Sequence, residues 1–102
     1  MENSSNIAFI GGGNMARSLI GGLVADGFPA QRLIVSDPAK ERLAALAAEF
    51  SVRLAASNRE AVKQADAVVL AIKPQHMRAV VQELAEPLRA RQPLIISIAA
   101  GI

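Results

Sequence analysis

Cysteine, tryptophan and tyrosine are all absent from this 102-residue chain. Without cysteine there are no disulfides, no thiolate zinc sites and no cysteine nucleophile, a composition that suits a cytoplasmic protein. The aromatic complement is Phe9, Phe28 and Phe50 alone, too little for the basic-aromatic surface on which nucleic acid stacks. A charge excess of one sign is also lacking. Eleven Lys and Arg are scattered among nine acids, leaving a net charge of +2. No apolar run approaches membrane-spanning length and the first six residues, MENSSN, are polar, so neither a transmembrane helix nor a signal peptide is expected. Nucleic acid and membrane are therefore not expected partners, and no metal site is expected.

What is present is apolar. Hydrophobic residues make up 52% of the chain and charged residues 20%, proportions of a buried sheet and not of a disordered segment. The length fits one domain over residues 1–102, large enough for a core but small for a complete two-domain enzyme.

The most informative stretch is IAFIGGGNMARSLIGGL, residues 7–23. Ile7 to Ile10 form a continuous apolar run, the pattern of a parallel strand covered on both faces. After Asn14 the positions Met15, Leu19, Leu23 and Val24 recur at helical spacing. Three glycines join the two. A strand, a tight turn and a helix opening at that turn leave helix N-terminal N–H groups free for an anion such as a pyrophosphate. Gly11, Gly13 and Ala16 occupy the small positions of G-x-G-x-x-G/A: one for the turn, one for phosphate approach, one for close helix packing.

Beyond this the chain alternates strand and helix. Strands are predicted at 32–36, 51–55, 67–71 and 94–98. Helices are predicted at 39–50, with Asp37 as cap and Pro38 at its first position; through residue 64, capped by Ser57 or Asn58; and at 75–88, with Met77, Val80, Val81, Leu84 and Leu88 on one face. Such alternation implies parallel βαβ units joined by right-handed crossovers. The expected fold is α/β, a doubly wound parallel sheet of Rossmann type with strand order 3-2-1-4-5; a flavodoxin-like order is the alternative. Asp37 stands where an acid at the end of the second strand could accept both ribose hydroxyls of NAD, while Lys40 or Arg42 could instead partner the 2′-phosphate of NADP. His76, the only histidine, reads as a surface helix position before an acid-base group.

The glycine stretch, SN at 57–58, ADAVVLAIKPQ at 65–75 and SIAAGI at 97–102 together resemble the N-terminal domain of pyrroline-5-carboxylate reductases, over nearly the whole chain. That family reduces 1-pyrroline-5-carboxylate to proline with NADPH or NADH. The resemblance places Gly11, Gly13, Asn14 and Met15 on the phosphate-binding turn and Asn58 at the adenosine ribose or its phosphate. It places Ala71, Ile72, Lys73 and Pro74 along the nicotinamide riboside, and Ala100 beside the nicotinamide. Asp37 departs from the family, whose members often carry there a serine or another residue able to receive the 2′-phosphate.

Family members continue into a helical domain that forms the homo-oligomer and supplies a hydroxyl near the imine nitrogen. No catalytic residue is therefore expected before Ile102, and residues 1–102 alone are expected to bind the cofactor weakly without turnover. Two further readings stand beside this one: an NAD(P)-binding module that turns nothing over, and the cofactor domain of another reductase, of the 6-phosphogluconate or deazaflavin-linked groups.

Overall fold

The computed structural model describes residues 4–98. Three apolar runs, β1 (Ile7–Ile10), β2 (Leu33–Ser36) and β4 (Ala67–Leu70), are buried at every position, as a parallel sheet with helices on both faces requires. With β3 (Arg53–Leu54) and β5 (Leu94–Ser97) they form one sheet of order β3-β2-β1-β4-β5. Every adjacent pair is parallel, Ile7 lying opposite Leu33 on one side and Ala67 on the other. The expected order 3-2-1-4-5 is the observed one. A flavodoxin-like order would seat the third strand against the first, whereas β3 pairs with β2.

Alternation along the strands divides the core. Ile7, Phe9, Leu33 and Val35 meet Ala16 and Ile20 of α1 (Asn14–Ala25) and Leu46 of α2 (Lys40–Phe50). Ala8, Ile10, Ile34 and Val68 meet Ala61 and Val62 of α3 (Asn58–Lys63) and Leu84 of α4 (Pro74–Arg91).

The helices correct several expectations. On α1 the buried stripe is Ala16 and Ile20, flanked by Leu23 and Val24, whereas Met15 and Leu19 are exposed. The helix starts directly after the glycine turn, so its small residue, Ala16, must lie against the strand, and the stripe continues four and seven residues on. On α4, Met77, Val80, Leu84 and Leu88 pack on the core; Val81, one residue off that stripe, is exposed. This helix is longer than predicted because Pro74 occupies its N1 position and because it continues to Arg91, where Gln92 turns into the left-handed region at φ 53°; as predicted, it runs through Pro87. Proline lacks the N–H that would bond the carbonyl four residues back, and the Glu83 carbonyl instead accepts a bond from Arg59 Nη1 at 3.2 Å.

Neither Asp37 nor Asn58 is a helix cap. Ala39 precedes α2 without a side-chain cap. Ser57 caps α3, its Oγ accepting the Glu60 N–H at 3.1 Å, the first half of an S-x-x-E capping box. The third strand shrinks to two residues because Ser51 turns into the left-handed region at φ 61°. β5 is exposed along its whole length. Among the described residues no helix is long and apolar enough to cross a membrane.

Candidate functional site

The carboxyl ends of β1, β2 and β4 open into a cleft of about 580 Å³ whose lining includes Gly11, Gly13, Asp37, Asn58, Ala71 and Lys73. This is where a doubly wound sheet reverses its winding direction, β2 lying on one side of β1 and β4 on the other. The two flanking strands are two spacings apart, roughly 10 Å. A ligand crossing the end of β1 therefore touches both.

The glycine turn is built from both flanks. Gly11 donates its N–H to the Ser36 carbonyl at 2.8 Å, and Gly12 donates to Asp37 Oδ2 at 2.7 Å. Toward β4, Gly11 lies so close that a Cβ would come within 2.3 Å of the Ala71 carbonyl oxygen, and its φ of +106° is itself unsuited to a side chain. Gly11 is thus required by the fold. Gly13 is not: its φ is −80° and a Cβ there would meet only Arg42 Nη1, at 3.8 Å. The space in front of Gly13 is open, and Gly13 has no side chain with which to cap α1. Backbone N–H groups of the first turn, Asn14 and Met15 among them, are left for an external acceptor.

At the β2 end, Asp37 Oδ1 accepts the Ala39 N–H at 2.7 Å while Oδ2 holds Gly12. Arg42 Nη1 stands 3.6 Å from Oδ2. The buried Ser36 hydroxyl donates to Asn58 Oδ1 at 2.7 Å, and Asn58 Nδ2 donates to Glu83 Oε1 at 3.2 Å. Asn58 is thereby held on the cleft wall from two directions. At the β4 end the wall is mostly backbone and apolar side chain: Ala71, Ile72 and the exposed Lys73, which precedes the first turn of α4.

All the cofactor-binding positions expected from the sequence within the described residues gather here: Gly11, Gly13, Asn14, Met15, Asp37, Asn58, Ala71, Ile72 and Lys73 line the cleft, and Pro74 follows as the first residue of α4. Ala100 lies outside the described residues. His76 is exposed, as expected of a surface position, yet it also borders the cleft from the first turn of α4. Sequence reasoning missed Ser36. Its signal was a lone hydroxyl at the end of an otherwise apolar strand, which must find a partner when buried.

The chain matches the family described as "NADP oxidoreductase coenzyme F420-dependent" over residues 6–101. It is 56% identical to the pyrroline-5-carboxylate reductase of Pseudomonas aeruginosa over 98% of this chain and 36% of that protein. The pyrroline-5-carboxylate reductase structure from Coxiella burnetii superposes with a TM-score of 0.89 at 39% identity, covering 93% of this chain and 35% of the other. A variant imine reductase from Myxococcus stipitatus, in complex with NAD⁺, gives 0.77 at 25% identity over 99% and 33%. The chain spans about a third of the length of these relatives. With its matched region running from the residue before β1 to beyond β5, and a cleft at the switch point of the sheet, the chain belongs to the NADP oxidoreductase, coenzyme F420-dependent family, as a domain of pyrroline-5-carboxylate reductase type.

Proposed function

We propose that this chain is the NAD(P)-binding domain of a reductase that converts 1-pyrroline-5-carboxylate, a small-molecule imine, to L-proline in the cytoplasm. The observation that carries the reading is the open space in front of Gly13 beside the uncapped start of α1. Gly13, which the fold itself does not need small, is small where a pyrophosphate would approach. A dinucleotide fits the remaining donors as well, because charge-assisted bonds from backbone N–H groups to phosphate contribute about 1.5–3 kcal/mol each.

In this reading Gly11 shapes the turn, and the Gly13, Asn14 and Met15 backbone receives the pyrophosphate. Asn58 and the β2 end hold the adenosine half. Ala71, Ile72, Lys73 and Pro74 hold the nicotinamide half, a role that the family resemblance extends to Ala100. When bound, the nicotinamide supplies the hydride. The part of this domain is to fix the donor's position and to keep water from one of its sides, which lowers the barrier by positioning alone. Residues that orient the imine and protonate its nitrogen come from a further, helical domain, which also forms the homo-oligomer.

The test is a domain exchange. Residues 1–102 replace the matching third of the Pseudomonas aeruginosa reductase, and pyrroline-5-carboxylate-dependent oxidation of NADPH and NADH is followed. An active chimera is expected. A folded, inactive chimera that still binds the dinucleotide would favour a binding module or a different reductase, and one that binds neither cofactor would overturn the reading altogether.

A further inference from the structure

Charged groups also converge away from the cofactor cleft. Between α3 and α4 lies a hollow of about 270 Å³ that shares no lining residue with the cleft. Arg59 and Lys63 of α3 and Arg91 of α4 line it, together with one acid, Glu86, and an apolar patch of Pro87 and Ala90. The binding of a dinucleotide calls on none of them.

Two of the three cations are already held in place. Arg59 donates Nη1 to the Glu83 carbonyl at 3.2 Å, and Arg91 donates Nε to the Ala65 carbonyl at 2.8 Å and Nη2 to Asp66 Oδ1 at 3.0 Å. A guanidinium has more donors than these contacts use, and a side chain fixed beforehand loses little freedom when a ligand arrives. Lys63, the last residue of α3, makes no side-chain hydrogen bond or ion pair among the described residues. Glu86 is held loosely: its side chain is 82% exposed and its Oε1 stands 3.5 Å from Arg59 Nη2. A phosphate in this hollow would use the cations alone, facing the Glu86 carboxylate as a like charge and leaving Pro87 and Ala90 without a partner. A zwitterion with a small apolar body engages the whole lining. Its carboxylate meets the guanidinium and ammonium groups, its own ammonium meets Glu86, and its body lies on Pro87 and Ala90.

We propose that this hollow is a binding site for a small zwitterionic amino acid with an apolar body, and that its occupant is L-proline, the product of the reaction proposed above. The choice of proline rests on that reading, whereas the zwitterion chemistry rests on the hollow itself. Glu83 joins the two sites. Its carbonyl accepts from Arg59, and its Oε1 accepts Asn58 Nδ2 on the cleft wall at 3.2 Å. An amino acid held here is therefore a short hydrogen-bonded path from the cofactor cleft without occupying it.

The experiment follows the backbone amide signals of the whole isotope-labelled chain by NMR. L-proline, its carbocyclic analogue cyclopentanecarboxylate, which lacks the ammonium, and inorganic phosphate are each added at millimolar concentrations. Proline should give saturable shifts centred on Arg59, Lys63, Ala90 and Arg91, with Gly13 and Asn14 little moved, and should bind about threefold tighter than the analogue, as an exposed ion pair allows. Glu86→Gln should erase that advantage by weakening proline and not the analogue. Arg59→Met should weaken both ligands. Should Arg59→Met lose the fold by circular dichroism, Lys63→Gln gives the same reading, because Lys63 has no bond to lose. Equal binding of proline and the analogue by the wild-type chain, proline shifts centred on the glycine turn, or saturation by phosphate alone would each overturn the proposal. NADPH is titrated into the same samples. A chain that binds NADPH and gives no proline shifts overturns the proposal alone, whereas one that binds no NADPH overturns the reductase reading instead.

Discussion

The turn after β1 is held differently on its two sides. Toward β2 it is held by polar bonds, Gly11 N–H to the Ser36 carbonyl and Gly12 N–H to Asp37, with Ser36 and Asn58 adding a second layer. Toward β4 a single backbone bond, Ala71 N–H to the Ile10 carbonyl at 2.9 Å, leads into the turn, and there Gly11 is pressed against the Ala71 carbonyl where a side chain has no room. A hydrogen-bonded flank can adjust by tenths of an ångström and still keep its bonds. A flank closed by backbone against backbone has no such latitude, because neither partner has a side chain to rotate. The two flanks therefore differ in what they cost to break.

The largest effect is expected on the contact side. Gly11→Ala sets a Cβ within 2.3 Å of the Ala71 oxygen at a φ of +106°, and it should destabilise the chain by about 3 kcal/mol or more, read as a lowered urea midpoint or failure to fold. Gly13→Val lies between the flanks and should separate fold from ligand. Its NADPH affinity should fall at least about 100-fold, roughly 2.7 kcal/mol, while Gly13→Ala should keep the wild-type urea midpoint to within about 1 kcal/mol. Equal losses of stability in Gly11→Ala and Gly13→Ala would erase the distinction between the two positions.

On the polar side, Ser36→Ala strips Asn58 Oδ1 of its donor and should cost about 1–2 kcal/mol of stability by denaturant titration. Farther out, Ser57→Ala removes the cap of α3 and should cost about 1 kcal/mol, seen as a lower melting temperature. The smallest effect belongs to neither flank. The Arg17–Glu49 pair, with side chains 56% and 42% exposed, should show a coupling of about 0.5 kcal/mol or less in a double-mutant cycle.

The sheet was legible in the sequence because buried parallel strands appear as apolar runs: IAFI and AVVL hold nothing polar, and LIVS only its last residue, Ser36. Their order followed from placing the glycine fingerprint in the first βα turn. Helix faces were legible only to within one position. On α1 the fingerprint placed Ala16 against the strand, where it lies, but helical spacing selected Met15 and Leu19, and the buried partner four residues on is Ile20. The extent of α4 was legible through Pro87 to Leu88, but its ends were not: Pro74 serves as its first residue, and it continues to Arg91, where Gln92 turns into the left-handed region.

Separation in sequence obscured Asp37. Its local neighbours, Ser36 and Pro38, suggest a helix cap, yet one of its two backbone partners, Gly12, lies 25 residues earlier. Short-range patterns report capping and periodicity. They do not report a side chain that crosses from one strand end to the next.

The open space at Gly13 also predicts how this sequence tolerates change. Consider a library of single substitutions sorted twice, once for soluble expression and once for dinucleotide capture. Position 11 should be depleted in both sorts, because a chain that cannot close its first turn never reaches the second. Position 13 should pass the first sort with small residues in place of glycine and be depleted only in the second. A lineage released from the need to bind a dinucleotide would then keep its first glycine and drift at its third, so the two positions carry separate records, one of folding and one of use.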